Sequence, residues 1–170
     1  MTKKQVLATD PLQKGYLYEL TAPIGKDFLP GFNPDLSPKE MLELGVFGGD
    51  YFEGEIAEYP ASWFAHAKLS QTGCYDNTRN FFAVRASQSR AEWNKKGWIS
   101  VDDPRGWFQW YCRYYLGRRL PTEDARQIAR WQNMTRHLSQ IKMHCRRGDF
   151  TCRPRQKQAV LHWAYNSTRM

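Results

Sequence analysis

Asp103-Pro104-Arg105-Gly106-Trp107-Phe108-Gln109-Trp110-Tyr111-Cys112-Arg113-Tyr114-Tyr115 is the stretch on which the fold turns. Aspartate followed by proline is a helix-start signal: the carboxylate suits the N-cap and the proline suits the first turn. Gly117 marks the other end. Between these signals, apolar and aromatic residues cover nearly the whole helix circumference, and a helix apolar on all sides is normally buried. Arg105, Gln109 and Arg113 recur at i, i+4 and i+8 and so share one face. A guanidinium carried into a core must meet a carboxylate or face a cavity, because an unpaired buried charge is very costly. Two readings stay open. In one, Arg105 and Arg113 grip an anion in a concave site, Gln109 adds an amide, and Trp110 or Tyr114 stacks on a ring. In the other, the arginines form an internal network with partners such as Asp50, Glu53, Asp102 or Asp103.

Helical signals continue on both sides of this segment. Ser37-Pro38-Lys39-Glu40 is a capping box with proline at the first helical position, opening a helix through Leu44 that Gly45 stops. Pro60-Ala61-Ser62-Trp63 starts a short helix to about Leu69, and Ser89 with Glu92 caps another that ends at Gly97. Pro121-Thr122-Glu123-Asp124 opens the longest helix, to about His144, with Ile128, Trp131, Met134, Leu138, Ile141 and Cys145 on its apolar side. A last helix is predicted from about Pro154 to Tyr165. Gly15–Leu20 and Asn80–Arg85 are candidate strands. The fold class expected is all-α, or mainly α with at most a small β-hairpin: a compact single-domain helical bundle around the aromatic-rich central helix. Residues 1–14 are expected to be a flexible N-terminus, 15–36 an extended Pro/Gly-rich surface arm, and 37–168 a single helical domain.

The 170 residues include seven Trp, nine Tyr and nine Phe, and since each such ring buries roughly 150–250 Å², a few of them fill a core. No apolar run approaches the roughly 20 residues of a membrane span, and Met1–Leu12 lacks the apolar stretch of a signal peptide. An intracellular location, cytoplasmic or nuclear, is therefore expected, with no membrane partner and with the four cysteines as free thiols in a reducing compartment, a Cys145–Cys152 disulfide being the alternative. His144, Cys145, Cys152 and His162 match no usual zinc spacing, so neither a metal nor another cofactor is expected.

Charge is unevenly spread. Residues 1–60 carry five Lys/Arg and ten Asp/Glu, whereas residues 61–170 carry 20 Lys/Arg and seven Asp/Glu. Arginine dominates the basic half, and its planar fork of donors suits phosphate. The predicted long helix sets Arg126, Arg130, Asn133, Arg136, His137, Gln140 and His144 opposite its apolar side. Arg118 and Arg119 precede it; Arg146, Arg147, Arg153 and Arg155 follow it. Arginines interleaved with aromatics suit a nucleic acid or other polyanion, phosphates on guanidiniums and bases on rings. The leading expectation is a nucleic-acid-associated binding protein, with Arg105, Gln109, Trp110, Arg113, Tyr114, Arg118, Arg119, Arg126, Arg130, Arg146, Arg147, Arg153 and Arg155 as candidate contacts. The alternative is a small enzyme whose buried Arg/Gln/aromatic pocket takes a nucleotide, modified base or other anion, with Asp50 and His162 as candidate catalytic groups. A third is an interaction protein whose aromatic surface meets a partner. P-loop, GxGxxG, GxSxG and HExxH patterns are absent.

The stretches Gly97–Ile99 and Asp103–Tyr115, together with Leu44–Gly49, Pro60–Phe64 and Leu161–Tyr165, resemble a family of small uncharacterised intracellular proteins sharing a DPRGWFQWYCRYY-like central helix. The resemblance spans most of residues 37–165. It implies one fold unit and brings no activity.

Overall fold

A computed structural model describes residues 4–170. Of the N-terminal segment expected to be flexible, residues 1–3 lie outside the described residues. The fold is mainly α, 41% helical, with a small antiparallel hairpin. The chain runs β1 (Lys4–Leu7), β2 (Leu17–Leu20), α1 (Pro38–Leu44), α2 (Arg90–Lys95), α3 (Trp107–Leu116), α4 (Pro121–Asn133), α5 (Thr135–His144) and α6 (Pro154–Leu161), with short 3-10 turns between. No helix among the described residues is long and apolar enough to cross a membrane.

Local chemistry sets most of these bounds. Ser37 and Ser89 each accept from the amide three residues on, while Glu40 and Glu92 reach back to the cap amide, so the capping box expected at Ser37 closes and the N-cap expected at Ser89 completes a box of its own. Gly117 ends α3 in the left-handed region at φ 116°, and a β-carbon there would overlap the Ala22 carbonyl oxygen, leaving glycine alone admissible. Other expectations need correction. The central helix begins at Trp107, not at Asp103, because the Asp103 carboxylate is taken by arginines. Pro60–Leu69 forms only a 3-10 turn over Ala61–Trp63, and Asn80–Arg85 forms no strand.

The predicted long helix is two helices that break at Met134. Trp131 explains the break. Its ring stacks on Tyr165 at 4.8 Å, and its carbonyl accepts from the Tyr165 hydroxyl at 2.9 Å and from the Met134 amide. A side chain inserted at a carbonyl interrupts the i to i+4 ladder and turns the helix.

α3 is the centre of the core. Trp107, Phe108, Trp110, Tyr111, Cys112 and Tyr114 are buried, packed against α1, α4 and α6. Of the extended surface arm expected over residues 15–36, Leu17–Leu20 is β2, and the remainder carries Phe32 and Leu36 into the core. Phe32 inserts among Trp110, Tyr111, Tyr114 and Trp131 at centroid distances of 5.0–5.7 Å. Its backbone is satisfied on the way: the Leu29 amide donates to the Tyr114 hydroxyl, and the Gly25 amide to the Tyr115 carbonyl. Burying a phenylalanine contributes roughly 1.5–3 kcal/mol, which holds the arm against α3.

Candidate nucleic-acid interface

The Arg105/Gln109/Arg113 face of α3 is covered by the N-terminal hairpin. Pairing of β1 with β2, in the register Lys4 to Leu20 and Leu7 to Leu17, brings Asp10, Gln13, Tyr16 and Tyr18 over it. Arg105 pairs with Asp10 and, at 3.0 Å, with Glu53. Gln109 donates to Asp10 at 3.2 Å and accepts the Arg105 amide at 2.9 Å. Arg113 forks onto Glu58 at 2.7 and 3.0 Å and reaches Gln13, Asp103 and the Asp102 carbonyl. Arg118 pairs with Asp103. Burial pushes the Asp103 carboxyl above its ordinary range, against the pull of Arg118 and Arg113. For Asp10, hydrogen bonding and charge from Arg105 prevail over burial and hold the carboxyl low.

This face is therefore an internal ion network and not an open anion site. Glu53 and Asp103 were among the partners anticipated; Asp10 and Glu58 were not. They come from a segment expected to be flexible and from a turn with no periodic signal. Trp110 and Tyr114 are equally internal: the Trp110 indole donates to Asp124 at 2.8 Å, and the Tyr114 hydroxyl serves Leu29. Arg119 caps the Tyr114, Arg118 and Lys26 carbonyls over the Tyr114 ring, and Arg126 pairs with Glu123.

The remaining arginines are placed differently. α5 and α6 pack as an antiparallel pair whose connecting loop is closed by a Cys145–Cys152 disulfide. The bond corrects the expectation that all four thiols are free; only Cys74 and Cys112 are. Two cysteines seven apart report nothing by spacing alone, and the hairpin geometry is what brings their sulfurs together. Gln156 ties the pair further, donating to Gln140 at 2.6 Å and contacting His137 at 3.0 Å. On this hairpin Arg136, Arg146, Arg147, Arg153 and Arg155 are exposed, and none of them forms an ion pair among the described residues.

At the end of the hairpin that carries Arg136 lies a cavity of about 330 Å³ lined from α2, α3, α4, α5 and α6. Trp93, Trp98, Trp107 and Trp163 form much of its wall. Arg130 reaches into it, donating to the Trp98 carbonyl at 2.9 Å and to Gln127 at 2.9 Å. Its guanidinium lies over Trp163 at 5.3 Å and Trp98 at 5.7 Å with no carboxylate partner. Burial first, and then the neighbouring Arg126 charge, pull its pKa down to about 10.

His162 also lines the cavity. It is 3% exposed and stacks on Phe47 at 4.2 Å. Its Nδ1 accepts the Phe47 amide at 3.4 Å, whereas Nε2 has no partner, and such an orphan costs about 1–3 kcal/mol. Burial holds the imidazole neutral, with its pKa lowered to about 3. Asp50, the other catalytic candidate, lines a separate cavity of about 250 Å³ with Glu53 and Lys68. Burial, with Glu53 nearby, raises its carboxyl. Asp50 and His162 thus do not form an acid–base pair.

No family model, curated protein or solved structure matches the chain. Of the candidates named from sequence, Arg130 and His162 meet in one cavity, and Arg146, Arg147, Arg153 and Arg155 share one exposed hairpin. Trp98 and Trp163 lie in stretches noted only for their resemblance, and Trp93 in none, so no periodic pattern joined the three. They lie on different elements, and each looks like ordinary core or surface in a linear reading.

Proposed function

We propose that the protein binds nucleic acid, single strands in particular, through the α5–α6 hairpin. The observation that carries the reading is the set of exposed guanidiniums on that hairpin, Arg136, Arg146, Arg147, Arg153 and Arg155, none of which forms an ion pair among the described residues. Arginine forks recognise phosphate oxygens, and each phosphate neutralised releases counterions. An aromatic-walled cavity at one end of the same hairpin supplies rings for unstacked bases. The disulfide pins the loop that holds Arg146 and Arg147, so less conformational freedom is lost on binding. It also fits a less reducing setting than the intracellular one expected from sequence.

The test is binding of short single-stranded DNA and RNA across a salt series. If all five named arginines engage phosphate, log K falls against log salt with a slope of roughly −3.5, a loss of about a hundredfold between 50 and 200 mM. Arg146→Glu, Arg147→Glu and Arg153→Glu combined should abolish binding without lowering the unfolding midpoint, since all three side chains are exposed. Full-strength binding by that variant refutes the hairpin as the contact surface.

A further inference from the structure

We infer that the cavity between α2, α4, α5 and α6 is a binding pocket for a single nucleobase carrying a phosphate. Its ring would sit among Trp98, Trp107 and Trp163, an acceptor atom on the His162 Nε2–H, and its phosphate by Arg130 and Arg136. This rests on the nucleic-acid reading in taking a nucleobase as the ring, and it goes further in assigning a built site.

Four observations converge on it. The volume, about 330 Å³, falls at the small end of ligand pockets, which suits one ring system and not a larger molecule. The walls are indoles from three separate elements: Trp98 beyond α2, Trp107 in α3 and Trp163 beyond α6. Trp107 and Trp163 pack against each other, tilted at 4.8 Å and 40°, so a guest ring would lie against this pair and not between its members. Arg130 brings a partly buried positive charge that forms no ion pair among the described residues, and the exposed Lys96 lies over the Trp98 ring at 4.7 Å.

The fourth observation is His162. Because Nδ1 accepts the Phe47 amide, the neutral ring carries its proton on Nε2, and that donor is left without an acceptor in a ring that is 3% exposed. Ring nitrogens and carbonyl oxygens of nucleobases are acceptors that this donor lacks. The phosphate would then lie by Arg136, which lines the same cavity. From there Gln156 and Arg153, hydrogen-bonded at 3.1 Å, lead along the hairpin.

Two sources share this chemistry: a free nucleotide and a base within a strand. Tryptophan fluorescence and calorimetry with adenosine and uridine monophosphates, set against oligoadenylate and an abasic oligomer of equal length, separate them. Saturable quenching by a monophosphate, with inorganic phosphate unable to compete, supports the pocket and points to free nucleotide. Quenching by oligoadenylate alone, with at least tenfold tighter binding than the abasic oligomer, supports it and points to a strand. In either case Arg130→Met should weaken binding of the base-bearing probe at least tenfold. Trp98→Ala, at a side chain already 41% exposed and so safe for folding, should weaken it several-fold.

If the abasic oligomer binds as tightly as oligoadenylate and no monophosphate quenches, the pocket inference is overturned while the hairpin reading stands. If a monophosphate binds in the cavity but neither oligomer binds, the hairpin reading fails and the pocket survives. Binding unaffected by both variants overturns the pocket whatever the probe.

Discussion

Replacing Arg113 by methionine distinguishes an internal network from an anion site more sharply than any other single change. The Arg113 side chain is fully buried and donates to Glu58 twice, to Gln13, to Asp103 and to the Asp102 carbonyl. Methionine fills much of the same space but leaves Glu58, whose side chain is 2% exposed, with only the Tyr18 hydroxyl. Asp103 keeps Arg118. Removing one member of a buried ion pair typically costs about 3–5 kcal/mol, most of it the stranded charge. With an m-value near 2 kcal/mol/M, the urea midpoint falls by roughly 2 M. Arg113→Met combined with Glu58→Leu removes both charges together and should recover a large part of the loss. The assay is urea denaturation followed by circular dichroism, with oligonucleotide binding measured on the folded variant in parallel. A midpoint unchanged by Arg113→Met, together with weakened nucleic-acid binding, would refute the network and return Arg113 to a ligand site. A double variant no more stable than the single one would show that the cost does not lie in the unpaired carboxylate.

Reducing the Cys145–Cys152 bond, or replacing Cys152 by serine, frees a loop of about eight residues, which by chain entropy costs about 2.5 kcal/mol. In a domain of this size the thermal midpoint should drop by roughly 5–10 °C, and a scan with and without reductant reads it directly; an unchanged midpoint means the bond adds nothing to the fold. His162 sets a pH dependence of definite sign. Its folded pKa, about 3, lies below the unfolded value of about 6.5. Between these values only the unfolded chain holds the proton, so stability falls on acidification by up to about 1.4 kcal/mol per pH unit. Burial lowers the His137 pKa as well, so a His137→Gln background isolates the effect. Between pH 6.5 and 4.5, His162→Phe in that background should flatten the profile, and an undiminished slope would remove His162 as its source.

Much of the fold was legible because it rests on short-range chemistry. Ser37 with Glu40, Ser89 with Glu92, and Pro121 with Glu123 and Asp124 act within one helical turn, and Gly117 ends α3 through its own φ. The burial of α3 followed from its aromatic circumference, and the grouping of Arg105, Gln109 and Arg113 followed from helical spacing. What that face meets could not be read in the same way. Asp10 lies 95 residues from Arg105, and Glu58 lies 55 from Arg113. No local pattern tells a carboxylate that will be buried from one that stays in water.

The sequence by itself determined a mainly helical chain with an aromatic centre and an arginine-rich second half. Tertiary structure alone decided which arginines are consumed internally and which remain for a partner. Arg105, Arg113 and Arg118 are quenched by acids that the N-terminal hairpin and distant turns bring to them. Arg136, Arg146, Arg147, Arg153 and Arg155 sit exposed on the α5–α6 hairpin, where none of them forms an ion pair among the described residues. The physical reason is range. Capping and periodicity act over a few residues of chain, whereas neutralising a charge depends on which groups lie within a few ångströms in space.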